Sequence, residues 1–303
     1  MKAFLSAVLV AGSTLASGEC GEITRPQNRT LPGGLDETRV GVIASSGMNF
    51  ENSPADLADL SFELSTNLAE PFPIFAGYTA QAAFRYETHM LRTSGLPSGI
   101  PLHDKDLHEI DLSLALYQMP RGTRWFSGAW INPSLATDFD GLSSDDLFLD
   151  LAIGAGYRVL DQLSIGSGVM ASNLTGDASI YPGLALFWKP ADDLKVILYG
   201  PNLRCSWDLT DSWCLGFEIR PNGGTWNIDS PDGSRNLHFR SFRSGLHSSH
   251  RLSEEIWLTY GAGITNGNKL EIQTTGGSEV FANQLGGLDS GLYGFFAIGL
   301  KSW

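Results

Sequence analysis

Apolar and polar side chains alternate strictly in this chain, over runs longer than a soluble strand usually sustains. Between Asp146 and Arg158, Leu147, Leu149, Leu151, Ile153, Ala155 and Tyr157 fall on one side. Asp146, Phe148, Asp150, Ala152, Gly154, Gly156 and Arg158 fall on the other. A period of two sends successive side chains to opposite faces of a sheet. The pattern recurs over Ile74–Met90, over Glu109–Leu116 and over Ile256–Thr265. These runs exceed the strand of about five or six residues common in soluble proteins. They match the roughly 9–11 residues that carry a tilted strand across a bilayer. A soluble sandwich alternates too. The second face here mixes charges with glycine and alanine, which suits the inside of a barrel.

The turns give a topology. Tyr157 to Ile165 places an aromatic residue, then Asp161, then a renewed apolar alternation. Trp188 to Val196, Trp207 to Leu215 and His250 to Leu258 repeat that layout, and Tyr117 to Trp125 does so loosely. Asp and Pro favour tight turns, and the aromatic rings belong at a membrane boundary. The opposite connections, near 91–106, 139–145, 173–178, 229–236 and 271–288, are longer and polar. Short turns on one side and long loops on the other mark an outer-membrane barrel. The reading is all-β, an antiparallel transmembrane barrel of 12–14 strands over 38–303, with fourteen as the best count. The count falls to twelve if the two short strands flanking Gly200-Pro201-Asn202 do not cross. Ser53-Pro54 resembles a helix start, but the alternation from Leu60 to Leu68 favours a turn followed by a strand from about Ala58.

The N-terminus reads as a secretory signal over 1–18: Lys2, an apolar stretch from Ala3 to Leu15, then small residues. Glu19 before Cys20 disfavours lipoprotein processing, so ordinary cleavage after Ala16 or Gly18 is expected. Residues 19–37 are a polar, Pro- and Gly-containing lead-in. Export and this architecture imply outer-membrane lipid and the barrel-assembly machinery as partners. A net charge of −13 disfavours nucleic acid, which needs clustered cations. Cys205 and Cys214 flank a tight turn; a disulfide and two unpaired thiols are both open.

Asp138-Phe139-Asp140 leading to Ser144-Asp145-Asp146, Gly154-Ala155-Gly156-Tyr157-Arg158, Trp188-Lys189-Pro190, Gly223-Gly224-Thr225-Trp226 and the terminal Gly299-Leu300-Lys301 occur in this order. In these the chain, from about residue 38 onward, resembles a domain-of-unknown-function family of bacterial outer-membrane-like barrels. The resemblance implies the barrel and carries no reaction, ligand or cofactor. Trp303 fits the aromatic C-terminal residue common in such barrels, whereas Lys301 departs from their pattern.

The expected lumen set is Gln81, Arg85, Glu87, Glu109, Asp111, Asp150, Arg158, Glu218 and Arg220. It reads either as a polar path for small solutes or as ion pairs that plug the barrel. Glycines at 154, 156, 261 and 263 are expected to leave room inside, while Phe148 and Trp257 narrow it. The sequence carries no phosphate-cradling, nucleophile-elbow or zinc motif, so neither enzymatic activity nor a cofactor is expected. His103, Asp104, Asp106, His108 and Glu109 match no metal cage in spacing. In His247-Ser248-Ser249-His250, neighbours alternate faces, so no serine–histidine pair is expected. The first functional expectation is a narrow passive pore. The rivals are a plugged structural or surface-binding barrel and a soluble secreted β-protein.

Overall fold

A computed structural model describes residues 37–301, apart from 70, 75–76, 98, 119–121, 173–178 and 231–232. The expected signal, nearly all of the lead-in, and Trp303 lie outside the described residues. Fourteen long strands form the wall: β1 (Glu37–Asn49), β2 (Asp56–Asn67), β3 (Tyr78–Ser94), β4 (Asp106–Gln118), β5 (Trp125–Thr137), β6 (Leu147–Leu160), β7 (Leu163–Ser172), β8 (Ser179–Ala191), β9 (Leu194–Tyr199), β10 (Asn202–Thr210), β11 (Trp213–Ile228), β12 (Arg235–Arg251), β13 (Ile256–Thr274) and β14 (Gly291–Lys301). Each pairs antiparallel with its neighbours in sequence, and β1 pairs with β14, Glu37 opposite Lys301, to close the barrel. Closure joins the first strand to the last, as a sheet in hydrocarbon requires. Both β9 and β10 belong to the wall, although they are only six and nine residues long.

Two boundaries differ from the sequence reading. β3 starts at Tyr78, although the alternation runs from Ile74, and Phe72–Pro73 forms its own short piece, paired back on Ala80 and Thr79. Ser53-Pro54 lies in a turn, where Ser53 Oγ accepts the Ala55 N–H at 3.2 Å, and β2 begins at Asp56.

The outside is an apolar belt. Leu149, Ile153, Leu246 and Leu292 project from it and are exposed, whereas Asp150 beside Leu149 is buried. Trp125, Trp188, Trp207 and Trp213 gather at the short-turn end, with Trp125 packed edge-on to Tyr157 at 5.0 Å. None of the described helices is long and apolar enough to cross a membrane.

The loop end of the barrel is not open. β11 rises past Pro221 and kinks at Gly223, whose φ of 95° suits glycine. A Cβ there would lie 2.0 Å from the Phe239 carbonyl oxygen. Beyond the kink β11 leaves the wall, and Asn227 bridges in parallel to Thr137 at the top of β5. That contact bypasses β6 to β10. Nine strands, from β11 through β14 and β1 to β5, therefore enclose a smaller upper barrel. Its interior is an apolar core of eighteen buried residues, among them Met48, Leu91, Leu102, Trp226, Phe239 and Ile272. The first and last loops interlock over it, through Glu51 N–H to Gly287 O at 3.0 Å and Asn52 N–H to Leu285 O at 3.2 Å.

Candidate functional site: the charged chamber

Below the apolar cap the inward row turns polar, and cross-strand register sets which charges meet. On β3, Arg85 and Glu87 share the inner face, being two residues apart. Register places Asp111 opposite Arg85 and Glu109 opposite Glu87. The Arg85 guanidinium consequently donates to three carboxylates: Nε to Asp111 at 2.5 Å, Nη1 to Glu87 at 2.5 Å and Nη2 to Glu109 at 2.6 Å. Such charge-assisted forks hold geometry well. Asn132 extends the network, donating to Asp111 at 3.0 Å and accepting from Ser113 at 2.7 Å.

A second layer lies directly under the cap. His89 Nδ1 is 3.1 Å from both oxygens of Asp59, and its Nε2 is 3.1 Å from Glu87. Arg243 reaches from β12 to Asp59 at 3.3 Å. The His89 ring meets Trp226 edge-on at 5.1 Å, which marks the boundary between dry core and charged layer.

The opposite wall is richer in cations. Arg204 on β10 faces Glu218 on β11 in register, and Arg220 Nε lies 3.6 Å from Glu218. Arg39 on β1 lies over the Phe295 ring at 5.9 Å and within electrostatic range of Glu218. The lumen is thus polarised across its width. Glu63, Glu87, Glu109 and Asp111 stand with Arg85 on β2 to β4, and Arg204 and Arg220 stand with Glu218 on β10 and β11; Arg39 is on β1, beside the strand of Glu63. Side chains here keep some solvent access, 22% for Arg85 and 26% for Arg220.

Every residue of the expected lumen set lies on the buried or half-buried inner row. Register brings Arg85, Glu87, Glu109 and Asp111 into one network and Glu218 with Arg220 into another. Gln81, donating to Asn67 at 3.4 Å, and Arg158 sit lower and apart from both. Asp150 stands opposite Asn132. Sequence reading passed over Asp59, Ser61, His89, Arg204 and Arg243. The alternation around Leu60 gave a signal for the first two.

Two expectations need correction. Three of the inner glycines, Gly156, Gly261 and Gly263, do not leave space, because aromatic rings from neighbouring strands fill it. A Cβ on Gly156 would meet the Phe126 ring, one on Gly261 the Phe295 ring, and one on Gly263 the Tyr293 ring. Ser248 and His250, two residues apart, share the outer face, with Ser248 Oγ 3.0 Å from His250 Nε2. That nitrogen also lies 3.2 Å from Tyr260 OH, and Ser248 accepts from the Trp213 indole at 2.8 Å. His250 stacks between Trp213 and Tyr260 in the boundary layer of aromatics. With no hydrogen bond to orient His250 Nδ1 among the described residues, the pair lacks the third member of a nucleophilic triad. Cys205 and Cys214 are not joined by a disulfide and lie on opposite faces, Cys205 opposite Phe217 and Cys214 opposite Asp208.

The residues weighed against a metal cage are divided between faces. His108 points outward against Tyr86, accepting or donating at 2.8 Å, whereas Glu109 points inward to Arg85. Among the described residues no three His, Cys, Asp or Glu side chains group as a metal site.

A closed antiparallel wall, apolar outside and charged within, defines a barrel of the outer-membrane type. The chain belongs to the family described as Domain of unknown function (DUF6268), which it matches over residues 99–302. It is similar at 12% identity to an outer membrane channel from Pseudomonas putida F1, over 92% of this chain and 100% of that one, with a TM-score of 0.42. It is similar at 13% to the transport unit of the autotransporter AIDA-I from Escherichia coli, over 96% of each chain (TM-score 0.36). The likeness to the outer membrane phospholipase dimer of Salmonella typhi with bound calcium is 9%, over 98% of each chain (TM-score 0.37). No curated protein matches.

Proposed function

We propose that this protein is a narrow outer-membrane channel for small solutes, shut at its outer mouth by the apolar cap. The observation that carries the reading is the charged, partly solvated chamber lying directly beneath a dry core. A barrel with a purely structural role gains nothing from a chamber polarised across its width. A transverse field of this kind aligns dipolar solutes as they pass. The second reading, a plugged barrel displaying its loops, is favoured by the size of the cap.

Planar-bilayer recording of purified, heat-modifiable protein separates them. On the channel reading, wild type gives rare steps, and Trp226→Ala or Phe239→Ala, which loosen the cap, give frequent ones. No steps from any of the three, with folding intact, would establish the plugged barrel.

A further inference from the structure

The wall between β8 and β11 is interrupted in its upper half. β9 ends at Tyr199, opposite Ala185 of β8. The hairpin closes at Gly200 and Pro201, where the Gly200 N–H meets the Leu184 carbonyl at 2.9 Å. β10 starts at Asn202, and its highest pair with β11 is Leu203 with Ile219. β8 continues from Leu184 to Ser179, and β11 from Arg220 to Ile228, and among the described residues no wall strand lies between them. β11 does not close the space sideways, because past Gly223 it turns inward to Thr137.

The break exposes about five residues of the β8 edge, roughly 16 Å at 3.3 Å per residue. Orphaned backbone donors in hydrocarbon are costly. Pro182, Pro201 and Pro221 stand on its rim, and proline has no N–H to orphan. Ile180 and Leu184 face outward from β8, 76% and 67% exposed. The break therefore lies within the apolar belt, not above it. At its foot stands Tyr199, 9% exposed, with Arg204, Glu218 and Arg220 as its charged neighbours. The buried Nε of Arg204 has no hydrogen-bond partner among the described residues. From the bilayer inward the order is an apolar rim, two phenols (Tyr181 on β8 and Tyr199 on β9), then three arginines (Arg39, Arg204 and Arg220) against Glu218.

We infer that this break is a lateral opening for an alkyl carboxylate, which passes between the chamber and the outer half of the bilayer. The carboxylate is held by Arg204 and Arg220, and the tail lies on the rim at Ile180 and Leu184. Tyr199 stands as the gate between them. Arginine suits the head because its planar fork matches a carboxylate, and the local excess of cations offsets the desolvation of an anion. The rim suits an unbranched tail. A free polar solute would find no partner at Ile180 and Leu184, and a neutral lipid would leave the Arg204 fork unused. The inference rests on the reading of the lumen as a transport chamber.

The test uses the full chain in phosphatidylcholine vesicles with a photoreactive diazirine carboxylate of medium chain length. A diazirine alcohol of equal length serves as the neutral arm, and a diazirine phospholipid tests resident lipid. The carboxylate is expected to label Ile180, Leu184 and Tyr199 several-fold over the belt residues Leu246 and Leu292, and unlabelled decanoate is expected to compete. The alcohol and the phospholipid are expected to label the belt evenly. Arg204→Gln, or Arg220→Gln if the first variant loses its heat-modifiable band, should remove the enrichment without changing belt labelling. Even labelling by the carboxylate, or enrichment that survives both substitutions, overturns the proposal. Enrichment by the phospholipid alone also overturns it, since the break is then a lipid site. Enrichment without conductance from the cap variants removes the axial channel and keeps the lateral site. Conductance with even labelling does the reverse.

Discussion

In β12 and β13 the inward row changes from Arg243 and Thr265 to Phe239, Leu270 and Ile272 as the strands rise, and all three apolar side chains are buried. In β7 to β10 the strands stop before that height, and their inner row carries no packed apolar core there, with Gly183 and Tyr181 in β8, Tyr199 at the end of β9 and Asn202 at the start of β10. The same period of two builds both walls. What differs is whether the inner face meets an opposing apolar surface. The tall wall has the loops of β1–β2, β3–β4 and β13–β14 to pack against, so it can bury leucine and tryptophan. The low wall has no such surface opposite it and faces only the chamber and the bilayer. The molecule therefore combines a globular core, stabilised by the hydrophobic effect, with a membrane wall whose outer leucines gain nothing from water exclusion once in lipid.

That contrast is most sharply tested by two tryptophans. Trp226 is wholly buried in the cap, whereas Trp188 is 43% exposed on the belt of the low wall. Trp226→Ala should destabilise the protein by about 3–5 kcal/mol through the cavity it leaves. Trp188→Ala should shift stability by no more than about 0.5–1 kcal/mol, as for an exposed site. Urea unfolding in detergent, followed by tryptophan fluorescence and gel mobility, measures both. Equal losses would mean that the cap is no more a core than the belt is.

On β6, beside the low wall, the register itself is open to challenge. Leu149 is exposed to the bilayer side, and Asp150 is buried opposite Asn132. Leu149→Arg places a cation in lipid, at a cost of about 2–4 kcal/mol near the midplane. Asp150→Asn keeps the shape and much of the hydrogen bonding, so its effect should be smaller. Folding efficiency into vesicles, scored by the heat-modifiable band, gives the comparison. An Asp150→Asn defect as large as that of Leu149→Arg would place the two faces the other way round.

The wall was legible in the sequence for a physical reason: a two-residue period needs no partner to be recognised. Leu147 to Tyr157 identify β6 by themselves, and Arg85, Glu87, Glu109 and Asp111 could be placed on the inner row by parity alone. Parity fails where the chain breaks its own period. At Asn266-Gly267-Asn268 an extra residue in β13 lies opposite β12, between the pairs Phe242–Asn266 and Arg240–Lys269. That bulge turns Leu270 and Ile272 inward. The cap was illegible because it depends on contacts between strands far apart in sequence. Trp226 sits on the inner row by parity, but nothing local shows that Gly223 will carry it across to β5. The arginine wall was read only in part: Arg220 alternates with Glu218 on one strand, whereas Arg204 lies on a strand too short to show its own period.

The smallest expected effect concerns the clasp that ties the cap to the top of the wall. Lys105, in the loop before β4, donates to Asp138 at 2.6 Å and to Asp140 at 2.9 Å. Asp138 also accepts the Asp229 N–H at 3.2 Å, so one carboxylate joins the loops after β3, β5 and β11. Burial pulls the Lys105 ammonium down, but its hydrogen bonds to Asp138 and Asp140 outweigh that and hold its pKa above the ordinary lysine value. A raised pKa in the folded state means the ammonium form favours folding. The stabilisation is complete below the unfolded value of about 10.4 and fades as pH rises through the higher folded value. At pH 7–9 Lys105→Met should therefore cost about 1 kcal/mol or less, since the pair is partly solvated and open to screening by salt. Above that range wild type and variant should converge. Proteinase K cleavage of the loop end, followed from pH 7 to pH 11 at low and high salt, reads the clasp directly. A variant as protected as wild type at every pH would show that the apolar core alone holds the cap shut.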